Sequence, residues 1–97
     1  MKSWEDYKNY VKNISPERKE EMERIEELSM IIGTIIEQRN MLGLSQRELA
    51  DLCNMPQSSI ARIETFRITP NLDTLLKILH PLGLRLQVSP AEELRVR

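Results

Sequence analysis

The stretch Ser45 to Thr65, SQRELADLCNMPQSSIARIET, constrains the fold of this chain more than any other. Ser45 and Glu48 have the S-x-x-E spacing of a capping box, in which each side chain satisfies an amide left open at a helix start. Leu49, Leu52 and Cys53 recur at helical spacing and are predicted to share an inward face. Ala50 is small where a second helix must come close. Asn54 tolerates a left-handed backbone, which suits a sharp turn between helices. Met55 is expected to pack inward. Pro56 fits the first turn of the next helix, where its missing N–H is not needed. Ile60 and Ile63 form the inward face of that second helix.

What remains outside is Gln57, Ser58, Ala61, Arg62 and Thr65, with Ser59 beside them. These residues are short or polar, with one cation and no acid. Gln can bond adenine through two hydrogen bonds, Arg can bond guanine, and Ser or Thr can reach base edges or phosphate. A helix presenting this set from its N-terminal end suits the DNA major groove, and the pair reads as a helix-turn-helix. An ordinary helical hairpin with a solvated face is the alternative. The combination of capping box, small residue, turn and polar outer face favours the DNA reading.

The run RNMLGLSQRELADLCNMPQSSIARIE, continuing through TPNLDTLLKILHPLGL, resembles the XRE (Cro/CI-type) helix-turn-helix family. The resemblance implies an all-α, lambda-repressor-like five-helix domain, here with an N-terminal helical extension and a short C-terminal strand. It also implies an ion pair between Arg39 and Glu64, at the end of the recognition helix. A bidentate Arg–Glu pair would fix the angle of that helix; an Arg39 free to touch phosphate is the alternative. Phe66 stands where the family usually has glycine. That departure puts the left-handed helix ending in doubt and exposes an aromatic near the DNA side. The helical arm, core and terminal strand together are similar to HigA-type antitoxins of type II toxin–antitoxin pairs.

The 97 residues allow one domain with a modest core. Hydrophobic content of 40% and charged content of 30% indicate a globular chain rather than a disordered one. No apolar run approaches a membrane span, and the polar start MKSWEDYKNY is not a secretory signal, so a cytoplasmic location is expected. One cysteine excludes an internal disulfide and a cysteine-based zinc cluster, and no metal or cofactor is expected. Cys53 reads as a small core hydrophobe. With one His, one Cys and no glycine-rich phosphate loop, an enzyme is not expected. The net charge of −1 counts against strong non-specific DNA affinity. The charge is uneven: residues 1–28 carry six Lys/Arg against eight Asp/Glu, so the acidic part is the arm and not the motif.

Three segments follow from a pass along the chain. Residues 1–28 form a helical arm. Trp4, Tyr7, Tyr10, Val11 and Ile14 mark an amphipathic helix that holds three of the four aromatics in the chain. Such anchors either fold back as a lid or bind a partner, and the resemblance to HigA-type antitoxins tips the reading to a partner surface. Ser15-Pro16-Glu17 is a helix start, followed by Met22, Ile25 and Leu28 as a short apolar stripe. Residues 29–83 are the DNA-binding domain. Ile32, Ile35, Ile36 and Leu42 form its first apolar face, and Gly33 is either a weak spot or a close approach. Residues 16–42 could be one helix or two. Gly43 supplies a left-handed ending, and Asn71 caps a last helix whose Leu72, Leu75, Leu76 and Leu79 face the core. Gln46, Arg67 and Thr69 are expected phosphate contacts. His80 reads as a surface or capping residue. In residues 84–97, Leu84, Leu86 and Val88 alternate with polar residues as a strand does. A lone strand needs an edge to pair with, supplied by a second protomer or by a partner's sheet.

These observations lead to a DNA-binding repressor that forms a homodimer through residues 84–88 and binds double-stranded operator DNA. By resemblance it also neutralises a RelE/HigB-like ribonuclease toxin. The competing readings are a stand-alone XRE repressor, and an interaction module that has lost DNA binding.

Overall fold

Ser45 caps the helix that organises the fold. Its Oγ accepts from the Glu48 backbone N–H (3.0 Å), and Glu48 Oε1 accepts from the Ser45 N–H (2.8 Å), completing the capping box. The computed structural model describes residues 3–13 and 15–91, with the side chains of Trp4, Tyr7, Val11 and Lys12 outside that description. Its helices are α1 (Trp4–Lys12), α2 (Pro16–Met41), α3 (Gln46–Cys53), α4 (Gln57–Glu64) and α5 (Leu72–Leu79), followed by a 3-10 turn at His80–Leu82. The described residues are all-helical, with five α-helices when α1 is included. Residues 16–41 are one continuous helix.

The chain divides into two compact units, Met1–Gly33 and Thr34–Arg97. In the first unit, Ser3 Oγ accepts from Asp6 N–H and Ser15 Oγ accepts from Arg18 N–H, so each helix start carries the cap its sequence offers. Met22 and Leu28 are half-buried but Ile25 is 56% exposed, so the short stripe does not form a continuous seam. Tyr10 is 37% exposed. The expectations for the side chains of Trp4, Tyr7 and Val11, and for Ile14, lie outside the described residues. Gly33 has nothing within 4 Å of the place a Cβ would occupy, so no close approach requires it.

In the second unit, α3 packs against α4, α5 and the 3-10 turn. The core is Ile35, Leu49, Ala50, Cys53, Ile60, Ile63, Leu75, Ile78, Leu79 and Leu82. Ala50 is 1% exposed, as expected of a small residue where helices meet. The end of α2 is tied down by Gln38, whose Nε2 donates to the Leu82 carbonyl at 3.0 Å. Asn71 Oδ1 caps α5 by accepting from Thr74 N–H (2.8 Å).

Three residues predicted to face inward are exposed: Leu42 at 51%, Leu52 at 58% and Leu72 at 60%. At about 100° per residue, Leu49, Ala50 and Cys53 share one arc and Leu52 falls at its margin. Leu42 lies beyond the last residue of α2, where the chain turns through Gly43 and leaves the helical face. Leu72 is the first residue of α5, and Ile78, not singled out by its spacing, fills the core instead. Pro56 occupies the N-cap position and precedes the first turn of α4.

The expected C-terminal strand is absent: residues 84–91 have no regular secondary structure. A strand is defined by a ladder, and no described segment offers these residues an edge. The alternation survives in burial, with Leu84 and Leu86 half-buried and Arg85 and Gln87 exposed. Val88 is 92% exposed.

Candidate nucleic-acid interface

The turn between α3 and α4 sets the geometry. Asn54 takes φ 56°, ψ 48°; its N–H donates to the Asp51 carbonyl (3.2 Å) and the Met55 N–H to the Ala50 carbonyl (2.9 Å). This double closure satisfies the open carbonyls of α3 and redirects the chain into α4. Ile60 and Ile63 are buried beneath α4, which leaves its opposite side outward.

That outward side forms an open depression of about 600 Å3, lined by Gln57, Ser58, Ala61, Arg62, Thr65 and Arg67. The five residues placed on the outer face by their spacing are therefore together, joined by Arg67 from the following loop. Ser59 is half-buried and Thr69 is exposed in the loop before Pro70; neither lines the depression. Arg62 and Arg67 are exposed and enter no ion pair among the described residues. Thr65 Oγ1 donates back to the Ala61 carbonyl (2.8 Å), so its hydroxyl offers lone pairs outward, but not its hydrogen. In this rotamer it cannot donate to a phosphate oxygen.

Beneath the depression lies a network that spacing alone did not reveal. Arg39 Nε and Nη2 donate to Glu64 Oε2 (2.8 Å) and Oε1 (2.9 Å), and Arg39 Nη1 donates to the Leu44 carbonyl (2.8 Å). The two side chains are 11% and 5% exposed. Gln46 Nε2 also donates to Glu64 Oε1 (2.9 Å), and Gln57 Nε2 donates to Gln46 Oε1 (3.0 Å). A carboxylate accepts only, so Glu64 fixes which end of the Gln46 amide faces it. Gln46 in turn fixes Gln57. Gln57 is left with Oε1 and one N–H, the pair a bidentate adenine contact requires. Gln46, expected as a phosphate contact, keeps one N–H for that purpose while acting as a link. No buried side-chain N or O atom among the described residues lacks a partner.

Phe66, where a left-handed ending was in doubt, adopts it at φ 61°. Its N–H donates to the Ile63 carbonyl (3.1 Å) and the Arg67 N–H to the Arg62 carbonyl (2.8 Å). This is the closure that ends α3, made with a residue whose Cβ costs about 1–2 kcal/mol in that conformation.

The helix-turn-helix family model HTH_3 matches residues 35–88, which contain α3, α4 and every residue of the depression. The chain belongs to the helix-turn-helix family. Over 60 residues, 62% of its length, this helix-turn-helix chain is 45% identical to a protein of Haemophilus influenzae named as an HTH-type transcriptional regulator. That match covers 61% of the relative, so the chain spans less than two thirds of it. Among solved structures it is similar to a chain of a toxin–antitoxin module from Streptococcus pneumoniae, at 37% identity and a TM-score of 0.71. The likeness covers 95% of this chain and 96% of that one.

Proposed function

We propose that the chain binds double-stranded DNA sequence-specifically through the outer face of α4 and represses transcription of its own operon. The observation that carries this reading is the depression itself: the outer face of α4 and the loop after it offer one oriented glutamine, a serine and two arginines free of ion pairs among the described residues. Gln57 and Arg62 read base edges, while Gln46, Ser58, Ser59, Thr69 and Arg67 contact phosphate or adjacent bases. Ala61 keeps the helix close to the groove. Selection of duplexes from a random library by the full-length chain tests this, with enrichment of one sequence expected.

The toxin–antitoxin module at 37% identity supports a second role, neutralisation of a RelE/HigB-like ribonuclease toxin. The arm, residues 1–28, is the candidate surface, with Trp4, Tyr7, Tyr10, Val11 and Ile14 as its anchors. Co-expression with the adjacent open reading frame is expected to yield a stable complex that is lost when residues 1–14 are removed. Sequence-selective DNA binding without such a complex would leave a stand-alone repressor. Homodimerisation through Leu84, Leu86 and Val88 would pair two α4 helices for two half-sites.

A further inference from the structure

Among the described residues, four helical segments turn out through a left-handed residue. Three use types that tolerate it: Gly43 (φ 71°), Asn54 (φ 56°) and Gly83 (φ 74°). The fourth is Phe66, at φ 61°, where glycine would carry no crowding of its Cβ. Burial offsets that cost only in part, because Phe66 is 53% exposed. Its place is also particular. Thr65 and Arg67, its two neighbours in the chain, both line the depression on α4. The two backbone hydrogen bonds that close the turn hold it between them. A large apolar side chain is thus kept half-exposed in a strained conformation, between two residues that line the depression. Strain that packing does not explain points to a use outside the fold.

We propose that Phe66 is a base-contacting residue of this surface, its ring packing against the 5-methyl group of a thymine in the major groove. This rests on the DNA reading above. Polar side chains there distinguish bases by donors and acceptors, but the thymine methyl is an apolar mark that only an apolar group reads. Among the lining residues only the small methyl groups of Ala61 and Thr65 are apolar, and Phe66 adds a ring with far more reach. The deoxyribose is also apolar, but it is the same under every base, so the methyl alone separates the two contacts.

The test uses the full-length chain and a duplex selected from a random library by the wild type. Affinity is measured by fluorescence anisotropy for wild type, Phe66→Gly and Phe66→Asn. Both substitutions tolerate the left-handed turn, and thermal melting checks that they fold. Each thymine of the duplex is then replaced singly by deoxyuridine, which lacks the methyl. At one position the wild type is expected to lose roughly fivefold or more in affinity, and the variants to lose nothing further there. On the thymine duplex the variants are expected to bind weaker than the wild type by the same factor. Unchanged affinity in folded variants would overturn the proposal, as would an equal loss on thymine and deoxyuridine duplexes, which marks a sugar contact. Either result leaves the DNA reading standing. A wild type that enriches no sequence overturns that reading, and the role of Phe66 with it.

Discussion

Glu64 serves the interior and the surface through the same two oxygens. Both accept from Arg39, and Oε1 also accepts from Gln46, which orients Gln57 at the depression. Arg39→Ala would leave a carboxylate buried without its cation, and such losses cost about 3–5 kcal/mol. Urea denaturation is expected to show a destabilisation of that size. Glu64→Gln keeps the shape but leaves the Arg39 guanidinium buried without its anion and no longer fixes the Gln46 amide, so stability should fall by a similar amount and DNA affinity should fall with it. Burial pushes the Cys53 thiol above its ordinary pKa of 9.0. The unfolded chain therefore releases the thiol proton first, and the folded state loses stability as pH rises past about 9. Below that, an alkylating reagent should label Cys53 slowly until denaturant is added. The Arg39–Glu64 pair was legible only through the family resemblance. Its extension to Gln46 and Gln57 was not, because a glutamine has the same sequence signature whether it meets phosphate, base or another amide.

Helix starts and stops were the most legible features at the scale of elements. Ser15, Ser45 and Asn71 each cap the helix their spacing marks, because a cap is settled within four residues of chain. Ser45→Ala should cost about 1 kcal/mol. Ile60→Ala opens a cavity under α4 and should cost about 2–5 kcal/mol. Calorimetry on both variants checks the order of these effects. Burial at helix margins was less legible. Leu52 and Leu72 have helical spacing, but which edge of an arc meets a neighbour depends on where that neighbour lies, and Ala50 and Ile78 take the core positions. The expected strand failed for a related reason. Alternation records which side chains turn inward, whereas a ladder needs a second edge, and residues 84–91 have none among the described residues.

For the whole molecule, a net charge of −1 leaves little general attraction to DNA, so specificity has to come from a small set of oriented groups. Leu86→Glu and Val88→Glu are expected to shift the protein from dimer to monomer in light scattering and to weaken binding to paired half-sites. The outer face of α4 was legible because its five residues follow from the burial of Ile60 and Ile63 alone; Arg67 joined them through a turn made by an unexpected residue type. The most direct test of the account is the affinity of wild type, Gln57→Ala and Arg62→Ala for a selected duplex and for a scrambled one. Each substitution should weaken binding to the selected duplex by about 1–3 kcal/mol while leaving the scrambled duplex little changed. Equal affinity of the wild type for both duplexes, or no loss in either variant, would contradict it.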